Sequence, residues 1–265
     1  MRNFISEDDI EQAILQKLEG DPFQYGILRC DPSPDKRELL PDGTGRSSKK
    51  ECVLPLILRE ALARLNPDIP GEKLEEIACD LCRDFSATDM TATNYKYYNQ
   101  IRNGIKISLR RNGKEDFDFV KLVDFDRPEN NTFTAVSQMW IQGRVYWRRP
   151  DVLIFINGLP MVFVELKNSI VKVEEAYNDN LKNYLRDIPN LFAFNQICVL
   201  SNGLETRLGA FNATYNHFFE WLKVDSDMLK VLSAAIVAIF LAVPYWKSRY
   251  FAKPTAKKKE GAKNA

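Results

Sequence analysis

The spacing of apolar residues changes character near residue 104. Before that point it is helical: in residues 6–19, Ile10, Ala13, Ile14 and Leu18 recur on one face, Ser6 stands at the cap position, and acidic residues fill the first turn. This predicts a first helix carrying Glu7 and Glu11 one turn apart on its flank. Residues 21–50, with Pro22, Pro32, Pro34 and Pro41, predict an irregular polar connection. Two further helices, about 54–65 and 71–85, flank the sequence NPDIPG, whose prolines end the first and precede the second. Residues 95–101 read as a helical or extended piece leading into Gly104.

Beyond Gly104 the runs become short, β-branched and aromatic, at 105–109, 118–125, 132–141, 151–156 and 161–166, which predicts a mainly antiparallel sheet. A helix over 173–188, stopped by Pro189, a buried strand within 192–200 and a turn at Ser201-Asn202-Gly203 complete the pattern. The order is α/β: a helical part over about 1–103, then a core over about 104–223 in which a mixed central sheet is flanked by helices. Residues 231–246 carry no charge, and residues 247–265 carry seven Lys or Arg against one Glu. The uncharged run is a little shorter than the roughly 17–25 residues of a spanning helix, and Pro244 shortens it further. It reads as a C-terminal hydrophobic helix at 228–246 followed by a basic disordered tail. That helix either docks on protein or anchors residues 229–246 in a membrane, with the basic flank on the cytoplasmic side. The expected location is the cytoplasm, or the inner face of the membrane under the anchor reading.

Composition narrows the chemistry. With 265 residues, 45% apolar content and 37 basic against 36 acidic residues, the chain can bury a full core without disulfides or structural metal. The single histidine, His217, lies in the aromatic run NHFFEW and excludes histidine-rich zinc sites. Five cysteines form no secreted disulfide framework, and Cys79 and Cys82 have the spacing of one helix face without the second pair of a zinc ribbon. Gly113-Lys114 is followed by Glu115 and lacks the earlier glycine of a phosphate-binding loop, so these residues supply no ATP site.

The residues that remain are Arg149-Pro150-Asp151 and, fourteen positions beyond Asp151, Glu165-Leu166-Lys167. Asn157-Gly158 turns the chain between them. A loop of three residues sets Asp151 opposite Glu165, and a loop of four sets it opposite Leu166. Strand alternation puts Glu165 and Lys167 on one face. Two carboxylates beside a lysine suit a magnesium ion, which prefers oxygen ligands and retains several waters for phosphate to displace. An exposed ion pair at a hairpin end is the alternative. Against it stands the position of Glu165 at the end of the apolar strand MVFVEL, where a solvated carboxylate is not expected.

The run RRPDVLIFINGLPMVFVELKN resembles the PD-(D/E)xK nuclease signature of the N-terminal domain of type I restriction endonuclease R (HsdR) subunits. The resemblance extends through NPDIP, YNQIRNGIKI, the run from Asn130 to Gln138, NDNLKNYLRDIPNLFAFNQICVLSNG and RLGAF, and covers about residues 4–223. It implies a restriction-endonuclease-like core in which Asp151 and Glu165 bind Mg2+ and Lys167 is the catalytic lysine. The family's first-helix acid falls at Glu11 or Glu7, with Glu11 preferred as the deeper of the two. Its Q-x-x-x-Y motif matches Tyr184, with Asn180 in place of the glutamine and one methylene shorter. The activity implied is cleavage of double-stranded DNA in a complex with modification and specificity subunits. Full-length members carry ATP-driven motor domains, whereas here the resemblance ends near residues 223–227, which suggests a truncated or separately encoded nuclease domain. A catalytically silent remnant that binds DNA or a partner is the competing reading. Arg110, Arg111, Arg144, Arg148 and Arg149, with Arg102, Lys106 and Lys114, are candidates for phosphate contacts.

Overall fold

The structure is a computed structural model that describes residues 4–111 and 114–221. The predicted hydrophobic helix at 228–246 and the basic tail lie outside the described residues. Among those described, no helix is long and apolar enough to cross a membrane.

The N-terminal helices form where the pattern places them. Helix α1 (Glu7–Glu19) starts on a reciprocal cap, in which the Ser6 hydroxyl accepts from the Asp9 N–H and the Asp9 carboxylate accepts from the Ser6 N–H. Its buried stripe is Ile10, Glu11, Ile14, Leu15 and Leu18. The helix is thus rotated from the predicted face: Ala13 is exposed and Glu11 points inward. The stretch predicted to be irregular contains a short edge strand, β1 (Gly26–Arg29), that its prolines had masked. Helix α2 (Pro55–Leu65) follows as expected, and α3 (Gly71–Leu81) starts as expected but ends four residues short of the predicted 85. The ambiguous piece near residue 95 is helix α4 (Met90–Asn103), begun five residues earlier by Asp89, whose carboxylate accepts from the Thr91 and Ala92 N–H groups.

Strands β2 (Ile105–Arg111) and β3 (Lys114–Val120) form a separate two-stranded ribbon rather than part of the main sheet. Only one of its faces is packed, through Leu109 and Val120, while Phe117 and Phe119 are exposed on the other. Strand β3 stops at Val120 because Asp124 folds the chain back, accepting from the Asp126 and Arg127 N–H groups and the Asn130 amide. After β4 (Phe133–Ser137), a small ribbon of β5 (Ile141–Gln142) and β6 (Trp147–Arg148) leads into β7 (Val152–Ile156) and β8 (Leu159–Leu166). A continuous helical segment follows, made of α5 (Val173–Glu175), a π-helical turn (Ala176–Leu181) and α6 (Lys182–Asp187). Strands β9 (Ile197–Ser201), β10 (Thr206–Gly209) and β11 (Phe219–Glu220) finish the described chain. The predicted strand at 192–200 begins only at Ile197, because Leu191 to Phe194 are buried in helical and turn backbone instead.

The central sheet has the order β1-β4-β7-β8-β9-β10-β11. It is mixed: β1 with β4 and β8 with β9 run parallel, and the remaining neighbours antiparallel. Every residue of β7 and β8 is buried, as expected of strands covered on both faces. On one face Val136, Leu153, Phe163 and Cys198 pack with Ala176, Leu181, Tyr184 and Ile188 of the helical segment. Strands β7 and β8 carry the candidate residues out of this core at one end.

Candidate active site

The hairpin between β7 and β8 fixes the site. Asn157 and Gly158 both have positive φ, 52° and 81°, giving the two-residue turn that such a pair favours. Gly158 has no substitute here, because a Cβ would lie 2.6 Å from the Leu54 carbonyl oxygen. The pairing begins Ile156 with Leu159 and Phe155 with Pro160, then shifts so that Ile154 faces Val162 and Val152 faces Val164. Met161 is the extra residue of the bulge. Asp151 therefore falls opposite Glu165, one of the two predicted registers, reached by a shorter turn plus a bulge rather than a three-residue loop. On the other side, β4 and β7 pair Ser137 with Val152, and the Gln138 N–H donates to the Asp151 carbonyl at 2.9 Å. Gln138, Asp151 and Glu165 thus form one row across three adjacent strands.

Glu165 is the buried member of the row, Gln138 and Asp151 are half-buried, and Lys167 is the one cation in ion-pair range of Glu165 among the described residues. Glu165 is 1% exposed; its Oε1 lies 3.7 Å from Lys167 Nζ, and its Oε2 is shut off from solvent with no donor. Burial pushes its carboxyl well above the usual range, Asp151 adds to the shift, and Lys167 and Tyr184 counter it. Asp151 accepts from the Leu166 N–H at 2.7 Å, and burial again raises its pKa. Glu11, 6% exposed, accepts from the Gln138 amide, which also lies 3.5 Å from Asp151 Oδ1; burial raises the Glu11 carboxyl too. Glu7 stands at the mouth, 4.0 Å from Lys167 Nζ. Both first-helix acids therefore face the site, Glu11 towards Asp151 and Glu7 towards Lys167.

Among the described residues no three acidic, histidine or cysteine side chains close into a complete metal cage. The donor set nevertheless fits a hard divalent cation. Two adjacent carboxylates that destabilise one another, one with a buried oxygen lacking any donor, are what such an ion would relieve, and its remaining positions can be filled by water or phosphate.

The predicted helix motif lies beside this row. Tyr184 is buried, donates from its hydroxyl to the Arg149 carbonyl at 3.1 Å, and packs edge-on against Phe163. Asn180 lies on the π-helical turn one helical turn earlier, near enough to the Tyr184 hydroxyl to counter in part the burial that raises it. The arginines separate into groups. Arg148 is held by the buried Asp187 carboxylate through its Nε at 2.8 Å. Arg149 stacks 5.3 Å over the Trp140 ring and lies near enough to Glu11 to lower its carboxyl. Arg144 is exposed at the tip of the β5–β6 ribbon, beside exposed Val145 and Tyr146. Arg110 is exposed on the separate β2–β3 ribbon, and the Arg111 side chain lies outside the described residues.

Sequence reasoning gave no role to Gln138. Its signal was available in principle, a polar residue at the end of the apolar strand FTAVS, but the pairing that places it beside Asp151 is a tertiary fact.

A bent antiparallel hairpin presenting Asp151 and Glu165-Leu166-Lys167, with an acid-bearing helix alongside and a mixed sheet behind it, is compatible with a nuclease class of fold. The comparisons agree with that class. The family described as "Type I restriction enzyme R protein N terminus" matches residues 4–217, and the chain belongs to it. Among relatives, the Type I restriction enzyme HindI endonuclease subunit of Haemophilus influenzae is 32% identical over 83% of this chain and 21% of its own length. The putative type I restriction enzyme MjaIXP endonuclease subunit of Methanocaldococcus jannaschii is 31% identical over 82% of this chain and 20% of its own. The Type I restriction enzyme SauCOLORF180P endonuclease subunit of Staphylococcus aureus is 30% identical over 49% of this chain and 14% of its own. The chain thus spans about a fifth of the length of the first two relatives.

Proposed function

We propose that this protein is the Mg2+-dependent nuclease part of a type I restriction system, hydrolysing phosphodiester bonds of double-stranded DNA in the cytoplasm. The observation that carries the reading is the Asp151–Glu165 pair with Lys167 beside it, in which Glu165 is fully buried and one of its oxygens has no donor. Asp151 and Glu165 would hold the cation directly, and Glu11, already hydrogen-bonded to Gln138, would join through water. When bound, the ion supplies Lewis acidity that activates water and neutralises charge on the scissile phosphate. Lys167, screened from solvent and flanked by Glu165 and Glu7, orients the attacking water and stabilises the charge developing on the phosphate oxygens. Tyr184 fixes the chain before Asp151 through the Arg149 carbonyl, with Asn180 one helical turn away.

DNA contact is assigned to the backbone through arginines, chiefly exposed Arg144 and half-buried Arg149, with Arg148 as a rigid neighbour and Arg110 and Arg111 on the separate ribbon. Sequence choice is left to specificity and modification subunits. The test is cleavage of supercoiled plasmid by the purified chain with Mg2+ or Mn2+. Glu165→Ala and Lys167→Ala are expected to lower the rate at least 100-fold with the fold retained. Cleavage by Glu165→Ala at the wild-type rate would remove Glu165 from the site. Metal binding without cleavage in the wild type would favour a DNA-binding role.

A further inference from the structure

Gln138 is the one member of the Gln138–Asp151–Glu165 row that the proposed chemistry leaves unused, and three features mark it. It is not glycine, yet its φ is +58°, a left-handed conformation that is costly for a side chain bearing Cβ. Its amide nitrogen donates to Glu11 and lies 3.5 Å from Asp151 Oδ1, so a single NH2 group spans two carboxylates on different elements. Its Oε1 is buried and has no donor. The amide cannot simply be reversed to satisfy that oxygen, because a carbonyl facing two carboxylates would be repelled and both acceptors would lose their donor.

We infer that Gln138 is a positioning residue of the cation site, which couples the first-helix carboxylate Glu11 to Asp151 so that the two serve one ion. The inference rests on the nuclease reading and deepens it. Two carboxylates brought to one amide group at a site largely closed to water would otherwise repel one another. A bridging amide offsets that repulsion without adding charge, whereas a lysine or arginine at this point would neutralise the carboxylates and compete with a cation. The left-handed backbone follows from the task. The Gln138 N–H continues the β4–β7 ladder to the Asp151 carbonyl, and the chain must then leave the sheet while its side chain reaches Glu11 on α1. The cost of that conformation is compensated by the two carboxylate contacts.

The experiment is a calorimetric titration of Mn2+ into the full chain, comparing wild type, Asp151→Asn, Gln138→Met, Gln138→Gly, Glu11→Gln and the Gln138→Met/Glu11→Gln pair, with thermal melts in EDTA alongside. Methionine keeps the length of glutamine and removes its polar atoms; glycine accepts the positive φ and removes the side chain. Gln138→Met is expected to weaken Mn2+ binding about 10- to 100-fold, the range for residues that support metal ligands. Adding Glu11→Gln to it is expected to cost little more, because the two residues act as a unit. Gln138→Gly should melt above Gln138→Met in EDTA and yet regain no affinity, which separates backbone strain from the amide's role. Wild-type affinity in both Gln138 variants, or losses that simply add in the double variant, would overturn the inference while leaving the nuclease reading intact. Absence of Mn2+ binding in folded wild type, or equal binding in Asp151→Asn, would overturn the metal reading and this inference with it.

Discussion

At the scale of single residues the site is held in tension. Glu165 is enclosed with Asp151 beside it, and the lysine that relieves it is 3.7 Å away. A carboxyl whose pKa is raised in the folded state binds more protons folded than unfolded. Its contribution to stability is therefore fully present below the usual carboxylate range and is lost as pH rises through the raised value. Removing the charge should then help most in neutral and alkaline solution. In EDTA, Glu165→Gln is expected to melt close to wild type at about pH 5 and above it at about pH 8. A difference that shrinks with rising pH would contradict the assignment. The same ionisation would govern the proposed metal uptake, since a carboxylate must lose its proton to bind a cation. Mn2+ affinity should accordingly rise with pH in the wild type, measured by calorimetry in two buffers of different ionisation heat. Glu165 was legible in the sequence because it interrupts an apolar strand, and Lys167 because it follows two residues later. Glu11 was only half legible: helical spacing put it on the flank of α1, whereas the helix is rotated to bury it beside Gln138.

At the scale of elements, two hairpins do different jobs. The β7–β8 turn sets register, and its glycine is pressed against α2, where a Cβ would meet the Leu54 oxygen at 2.6 Å and the Leu58 nitrogen at 2.7 Å. Gly158→Ala combines that clash with a positive φ and is expected to destabilise by about 2–4 kcal/mol, read from the urea midpoint. The β5–β6 ribbon is clamped at its base. Gly143 lies against the Asp187 carbonyl, where a Cβ would come within 2.0 Å, and Asp187 also binds Arg148 and Arg186. Its tip exposes Arg144, Val145 and Tyr146 only a few residues before Asp151. If that tip lies on the duplex, Arg144→Ala should weaken binding of a labelled DNA duplex and reduce the slope of log affinity against log salt by about 1, by fluorescence anisotropy. Unchanged slope and affinity would place the DNA elsewhere. The turn was readable from Asn-Gly, but the bulge at Met161 was not, since nothing local in PMVFV distinguishes a bulged residue from a paired one.

At the scale of the whole molecule, the long polar connection before α2 is bound to the fold by a buried ion network. Asp42 holds Arg46 and Lys49, each at 2.7 Å, and Arg46 reaches the Trp140 carbonyl at 3.2 Å. Asp42→Ala leaves two buried cations uncompensated and should cost about 3–5 kcal/mol, measured by chemical denaturation. Binding at the proposed cation site would act in the opposite sense: Mn2+ at about 100 times its dissociation constant should add about 2.7 kcal/mol and raise the wild-type melting temperature, with no such shift in Asp151→Ala. The sequence by itself determined the helical first part, the run of strands after Gly104, the hairpin bearing Asp151, Glu165 and Lys167, and the family. Those properties are local, carried by periodicity, turn residues and contiguous motif. Only the tertiary structure decided that β1 joins β4, that β2 and β3 stand apart from the main sheet, and that Arg148 is held by Asp187. It alone brought Gln138 and Glu11 to Asp151. Each of these depends on partners distant in the chain, and pairing across a sheet is set by the burial of whole faces and the geometry of bulges rather than by the residues of any one strand.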